Sequence, residues 1–180
     1  MKYMLKSQSA NDQIFKQLVI DHGDKIYNLA LLRSNNLDMA QDICQETFIR
    51  AYKGLPNFRD DSQIGTWLYR IALNVCHTTL AKERHRSRLS VDLNDKDIEL
   101  ADEDGSIEDE FFDRVRNEQL REAIKRLPQH QADAITLYYL KEFQYAEVAK
   151  IMDLPLNTVK SHLRRGKANL KTLLTEMRIV

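Results

Sequence analysis

Between Val91 and Asp113 the chain carries eleven acids: Asp92, Asp95, Asp97, Glu99, Asp102, Glu103, Asp104, Glu108, Asp109, Glu110 and Asp113. A single base, Lys96, stands among them. Charge of one sign at this density repels itself, and Val91–Gly105 offers no apolar face to pack, so this stretch reads as an extended, flexible acidic linker. It divides the 180-residue chain into an N-terminal domain, residues 1–90, a linker, 91–105, and a C-terminal domain, 106–180. Each domain is at the small end of what sustains its own core, roughly 70 to 90 residues. The overall balance of 27 bases and 27 acids conceals the separation: outside the acidic stretch, 26 bases face 16 acids. Such a remainder suits a polyanionic partner.

Five glycines and three prolines in 180 residues imply few turns and long helices. Apolar residues recur at helical spacing almost throughout. The first helix is expected over about Asn11–Arg33, with Ile14, Phe15, Leu18, Val19, Ile26 and Leu29 inward and a weak point at Gly23. The second runs from about Leu37 to Leu55, where Pro56 stops it. After a loop, Asn57–Gly65, a third helix spans roughly Thr66–Arg84 and ends in a basic run. Beyond the linker, Ser106-Ile107-Glu108-Asp109 has the pattern of a capping box opening a helix that reaches about Leu127, before Pro128. A further helix carries Ala132, Ile135, Leu137, Tyr139 and Leu140. The fold class is therefore all-α: two small helical domains joined by an acidic linker.

Two short helices close the chain: Tyr145–Met152, then, after Asp153-Leu154-Pro155-Leu156, Thr158 to about Met177 with Asn157 as N-cap. Helix, tight turn, helix is the shape of a helix-turn-helix reader, whose second helix enters the major groove. Val159, Leu163, Leu170 and Leu174 make one packing stripe of that helix. Elsewhere it presents Thr158, Lys160, Ser161, His162, Arg164, Arg165, Lys167 and Lys171, and no acid occurs between Leu154 and Thr175. Solvated helices mix signs; a one-sign basic face with Ser and Thr fits phosphates and base edges.

In the N-terminal domain, Phe58, Trp67 and Tyr69 are interleaved with Arg59, Arg70 and Asn74. Aromatic faces beside guanidiniums hold unstacked single-stranded bases, and a neighbouring loop can pocket a flipped base. No stretch approaches the ~20 apolar residues of a membrane span, and the N-terminus lacks the apolar run of a signal peptide, so a cytoplasmic protein is expected. Cys44 and Cys76 have no disulfide or zinc spacing and read as buried thiols. No nucleophile motif, Gly-rich phosphate loop or metal-ligand cluster stands out, so catalytic residues, metal and cofactor are all expected to be absent.

Three segments carry a resemblance: DICQETFIRAY (Asp42–Tyr52), FRDDSQIGTWLYRIALNV (Phe58–Val75) and YAEVAKIMDLPLNTVKSHLRRGKANL (Tyr145–Leu170). In this order and spacing they resemble bacterial RNA polymerase sigma factors of the extracytoplasmic-function branch. The resemblance implies that Asp42, Gln45, Glu46 and Arg50 dock on the clamp helices of the largest subunit of core polymerase, with the flap as a second contact. It implies that the loop with Phe58, Arg59, Asp60 and Ser62 pockets a flipped base of the promoter −10 element, with Arg70 and Asn74 near the melted strands and Trp67 as either core or pocket wall. Lys160, Ser161, Arg164 and Arg165 match positions facing the −35 duplex. Gly65 stands where such proteins often carry a larger residue, and His162 where they are frequently basic. An anti-sigma partner, often membrane-bound in this branch, is implied by the resemblance alone. The alternative is a helix-turn-helix regulator that acts without core polymerase, a reading that leaves Phe58–Asn74 without a role.

Overall fold

A computed structural model describes residues 2–58, 63–89 and 118–177. Those residues form helices α1 (Lys2–Ser34), α2 (Leu37–Gly54) and α3 (Ile64–Leu89), then α4 (118–126), α5 (Gln129–Ile135), α6 (Tyr145–Met152) and α7 (Leu156–Glu176). No strand occurs among the described residues. The acidic linker and the Ser106–Asp109 capping pattern lie outside them.

The first three helices pack pairwise into the N-terminal lobe. Asn35, at φ 49°, turns the chain out of α1, a left-handed conformation that Asn tolerates better than most residues. Asn36 then caps α2: its side-chain oxygen accepts the Met39 N–H at 2.8 Å. Leu18, Ile26 and Leu29 of α1 and Leu68 and Ala72 of α3 are buried, as their spacing predicts. Ile14 and Val19 are not: both are exposed, together with Ile20. Gly23 does not break α1, which is continuous through it. Nor does Pro56 end the second helical segment cleanly. It sits in a single 3₁₀ turn, Leu55–Asn57, where its missing N–H costs nothing. Helix α3 begins earlier than expected and already includes Ile64 and Gly65.

The C-terminal lobe is built around α5, α6 and α7. Helix α5 continues into a π-helical turn, Thr136–Leu140, before Glu142 turns the chain at φ 58°. The widened turn buries Thr136 and Leu137 and leaves Tyr139 and Leu140 exposed. Helix α6 ends at Asp153, left-handed at φ 55°. The cap of α7 differs from expectation: Pro155 occupies that position and Asn157 lies within the first turn, its carbonyl accepting the Ser161 hydroxyl at 2.9 Å. Pro beside a helix start is favourable, since the N–H it lacks would have had no intrahelical partner.

The lobes touch. Helix α3 lies against α6, and buried apolar side chains run continuously from Leu29, Tyr69 and Leu73 to Ile135, Leu137 and Ile151.

Candidate nucleic-acid interface

Helix α7 sorts its residues by face. Val159 and Leu163 are buried with Gly166 against α5 and α6, while Lys160, Ser161, Arg164, Arg165 and Lys167 are exposed. Gly166 is what lets α7 approach α5 so closely: a Cβ there would meet Ile135 Cγ1 at 2.9 Å. Asn169 fixes the register by donating to Gln131 Oε1 at 2.8 Å. Packing one stripe this tightly rotates the basic residues outward as a set. Thr158 is half-buried at the edge of the set.

His162 differs from its neighbours. It is half-buried, its ring centroid 5.4 Å from that of His130, and its Nδ1 is enclosed without a hydrogen-bond partner. Burial, reinforced by His130 and Arg165, holds its pKa below the ordinary value. It therefore belongs to the packing of α7 more than to its basic face. Lys160 extends the other way, its Nζ 6.0 Å from the Tyr145 ring centroid, and Tyr145 stacks on Tyr138 at 4.5 Å.

In the N-terminal lobe, Phe58 and Trp67 pack together, ring centroids 5.0 Å apart, and both are half-buried. The Trp67 ring also covers Gly54, where a Cβ would stand 3.1 Å from it. Trp67 thus packs into the lobe on one side and stays partly exposed on the other. Arg59, Asp60 and Ser62 lie outside the described residues. Gly65 leaves room for the His22 ring, which would sit 3.1 Å from a Cβ at that position. Arg70 and Asn74 are exposed one turn apart on α3. Asn74 offers its side chain to solvent. Arg70 is engaged: its Nε donates to the Lys150 carbonyl at 3.1 Å, an Nη2 bond joins the same oxygen, and Asp153 Oδ1 lies 3.6 Å away.

On α2, Asp42, Gln45 and Arg50 are exposed and Glu46 half-buried, and Arg50 Nε donates to Glu46 Oε1 at 2.7 Å. The same stripe exposes Ile49, with Tyr52 beside it, an apolar component that helical periodicity alone did not single out.

A second group escaped the sequence altogether. Arg33, His77 and Asp133 come from α1, α3 and α5 and meet at the lobe boundary. None sits in a motif. The one local signal is Asp133 itself, a carboxylate inside the apolar run Ala132–Leu137. Neither cysteine is paired; burial pushes the Cys76 thiol up to about 12, so it stays protonated and inert. Among the described residues, no group of three or more His, Cys, Asp or Glu is placed to hold a metal ion. No described helix is long and apolar enough to cross a membrane.

A two-lobe helical protein whose second lobe presents a basic recognition helix belongs to the DNA-reading transcription proteins. Comparison with known proteins narrows the class. Residues 18–86 match the family model of sigma-70 region 2, and residues 117–170 that of sigma-70 region 4. The chain is 34% identical to the RNA polymerase sigma-H factor of Pseudomonas aeruginosa, over 89% of this chain and 86% of that one. It is 30% identical to the ECF RNA polymerase sigma factor SigW of Bacillus subtilis, over 98% of both. The fold matches that of the sigma factor RpoE of Bartonella quintana, solved with the anti-sigma factor NepR. The TM-score is 0.71 and the identity 24%, covering 91% of this chain and 98% of that one. It likewise matches CnrH in complex with the cytosolic domain of CnrY, with a TM-score of 0.68 at 22% identity, covering 96% and 94%. The chain belongs to the extracytoplasmic-function family of RNA polymerase sigma factors, and is a transcription initiation factor.

Proposed function

We propose that this chain brings core RNA polymerase to promoters by dividing recognition between its lobes. Helix α7 reads the −35 duplex with Lys160, Ser161, Arg164, Arg165 and Lys167, Thr158 serving its leading edge and His162 setting its seat. The loop after Phe58, with Arg59, Asp60 and Ser62, takes a flipped base of the melted −10 element against the Phe58–Trp67 wall, and Arg70 and Asn74 hold the strand. Asp42, Gln45, Glu46 and Arg50, with Ile49, dock on the clamp helices of the polymerase, and the C-terminal lobe meets the flap. The chain acts in the cytoplasm as a specificity subunit and needs no cofactor. An anti-sigma protein controls it, a reading supported by the two complexes whose fold it shares.

The observation that carries this reading is the sorting of α7: Val159, Leu163 and Gly166 are buried, while Lys160, Arg164, Arg165, Lys167 and Lys171 are all exposed. Run-off transcription from genomic promoters, by core polymerase with and without the chain, tests it. Output that depends on the chain is expected; equal output from all templates sinks the proposal. Gel filtration with core polymerase separates it from a regulator that binds DNA alone, since only a sigma factor must co-elute.

A further inference from the structure

We infer that His130 belongs to the duplex-reading surface and forms with His162 one proton-accepting unit, charged when α7 meets DNA, so that duplex affinity rises as pH falls. This deepens the proposed role of α7 and rests on it.

The register of α7 sets the pair in place. Thr158, His162, Arg165 and Asn169 stand three or four residues apart and line one flank of the helix. That flank runs beside the start of α5. Asn169 donates to Gln131 Oε1 at 2.8 Å, and the His162 ring lies 5.4 Å from that of His130, centroid to centroid, at an interplanar angle of 43°. His130 and Arg165 are exposed and His162 is half-buried. The outward residues Lys160, Ser161 and Arg164 are within two positions of His162. A major groove that receives those residues brings its phosphate edge to the flank.

At neutral pH the free chain holds His162 uncharged. Burial withdraws solvent from the ring, His130 faces it from α5, and Arg165 follows one turn on along α7. Asp133 of α5 pulls the other way, but its carboxylate is already engaged by Arg33 of α1 and His77 of α3. The enclosed Nδ1 of His162 has no hydrogen-bond partner, so no protein group compensates a charge there.

A duplex supplies the missing anion. An opposite charge within ~4–6 Å favours the charged form of a titrating group. B-DNA carries one phosphate charge per ~1.7 Å of its axis. Two imidazolium rings at this separation repel each other, so the first proton goes to the pair as a unit and opposes a second. The bound chain then holds one proton more than the free chain. By linkage, binding tightens as pH falls through the histidine range, by at most about tenfold per pH unit for one proton. An arginine at position 162 would stay charged at every pH and show no such dependence.

Fluorescence anisotropy of the full chain with a mixed-sequence DNA duplex at fixed salt, from about pH 7.5 to about pH 5.5, reads the effect. Circular dichroism at each pH should show wild-type helicity in every variant. Wild-type affinity should rise by about tenfold across that range, and the His130→Gln/His162→Gln double variant should lose the rise. Parallel profiles for the two proteins overturn the unit. His130→Gln alone should move the rise to higher pH, because it removes one of the groups that oppose a charge on His162. A rise that fails to move upward overturns the pairing. His162→Arg should bind tightly throughout; a pH dependence as steep as wild type counts against the site. Arg164→Ala separates this unit from the reading beneath it, since it should weaken binding at every pH. No weakening removes α7 as the duplex-binding helix, whereas weakening with parallel histidine profiles removes the proton unit alone.

Discussion

Glycine 166 sits where two effects oppose each other. In an exposed helix, Gly→Ala stabilises by about 1 kcal/mol through propensity alone. At Gly166 the added Cβ meets Ile135 Cγ1 at 2.9 Å and the Gln131 carbonyl oxygen at 3.3 Å, so α5 or α7 must move. Overpacking of this kind costs about 1–3 kcal/mol and wins. Gly166→Ala should lower the midpoint of urea unfolding, whereas Gly23→Ala, with nothing within 4 Å of its Cβ, should raise it. Two half-buried histidines make a second residue-scale prediction. His22 and His162 both have lowered pKa values, chiefly through burial. The unfolded chain then binds protons at higher pH than the folded one, so stability is present above the ordinary value of about 6.5 and declines as pH falls through it. His162→Gln should flatten the fall in unfolding free energy between about pH 7 and about pH 5. The partial burial of His162 was not legible in the sequence: its neighbours Ser161 and Arg164 point outward, and only the close seat made by Gly166 turns its ring onto α5. Arg33, His77 and Asp133 were hidden for a related reason. Each is an isolated polar residue on a different helix, and nothing local says that three such residues meet.

Helices, by contrast, were readable wherever one apolar stripe meets one neighbour. Residues Tyr145–Met152 form α6 with the expected ends, and Val159 and Leu163 are buried as their spacing requires. Periodicity failed where a helix has apolar residues on more than one side, as α1 does at Ile14, Val19 and Ile20, since spacing cannot tell a packed stripe from an exposed one. The π turn was not legible in that spacing: one residue is added to the repeat, and Tyr139 and Leu140 lie exposed. The connection after that turn depends on Glu142 in a left-handed conformation that an ordinary side chain resists. Glu142→Gly removes that resistance and, because the side chain is exposed, should stabilise the C-terminal lobe by up to about 1 kcal/mol; a lower midpoint in thermal unfolding counts against it. At the start of α6, Glu147 Oε2 accepts the Gln144 N–H at 2.9 Å. Glu147→Ala leaves that donor to water and should cost about 0.5–2 kcal/mol, read as faster amide exchange in the first turn of α6.

At the scale of the whole molecule, charge is divided along the chain as recognition is proposed to be. Eleven acids and one base between Val91 and Asp113 separate two lobes that together hold 26 bases and 16 acids. A polycation of that size binds any duplex by releasing counterions, and such binding competes with promoter search. The acidic stretch is tied to both lobes, so its local concentration near their basic surfaces is high whatever the protein concentration. At about 0.1 M salt, charges act over roughly 10 Å, far enough for a tethered acidic segment to compete with DNA phosphates at α7. Replacing its eleven acids with Ser and Asn at fixed length shifts the formal net charge from +0 to 27 − 16 = +11 and keeps the tether. Fluorescence anisotropy with a non-promoter duplex should then show tighter binding, with the gain largest at low salt and shrinking as salt rises. Run-off transcription should fall when non-promoter DNA is added as competitor, and less so without it. An anisotropy curve that superimposes on wild type at every salt concentration would reduce the stretch to a spacer, and leave the suppression of non-specific binding to the polymerase.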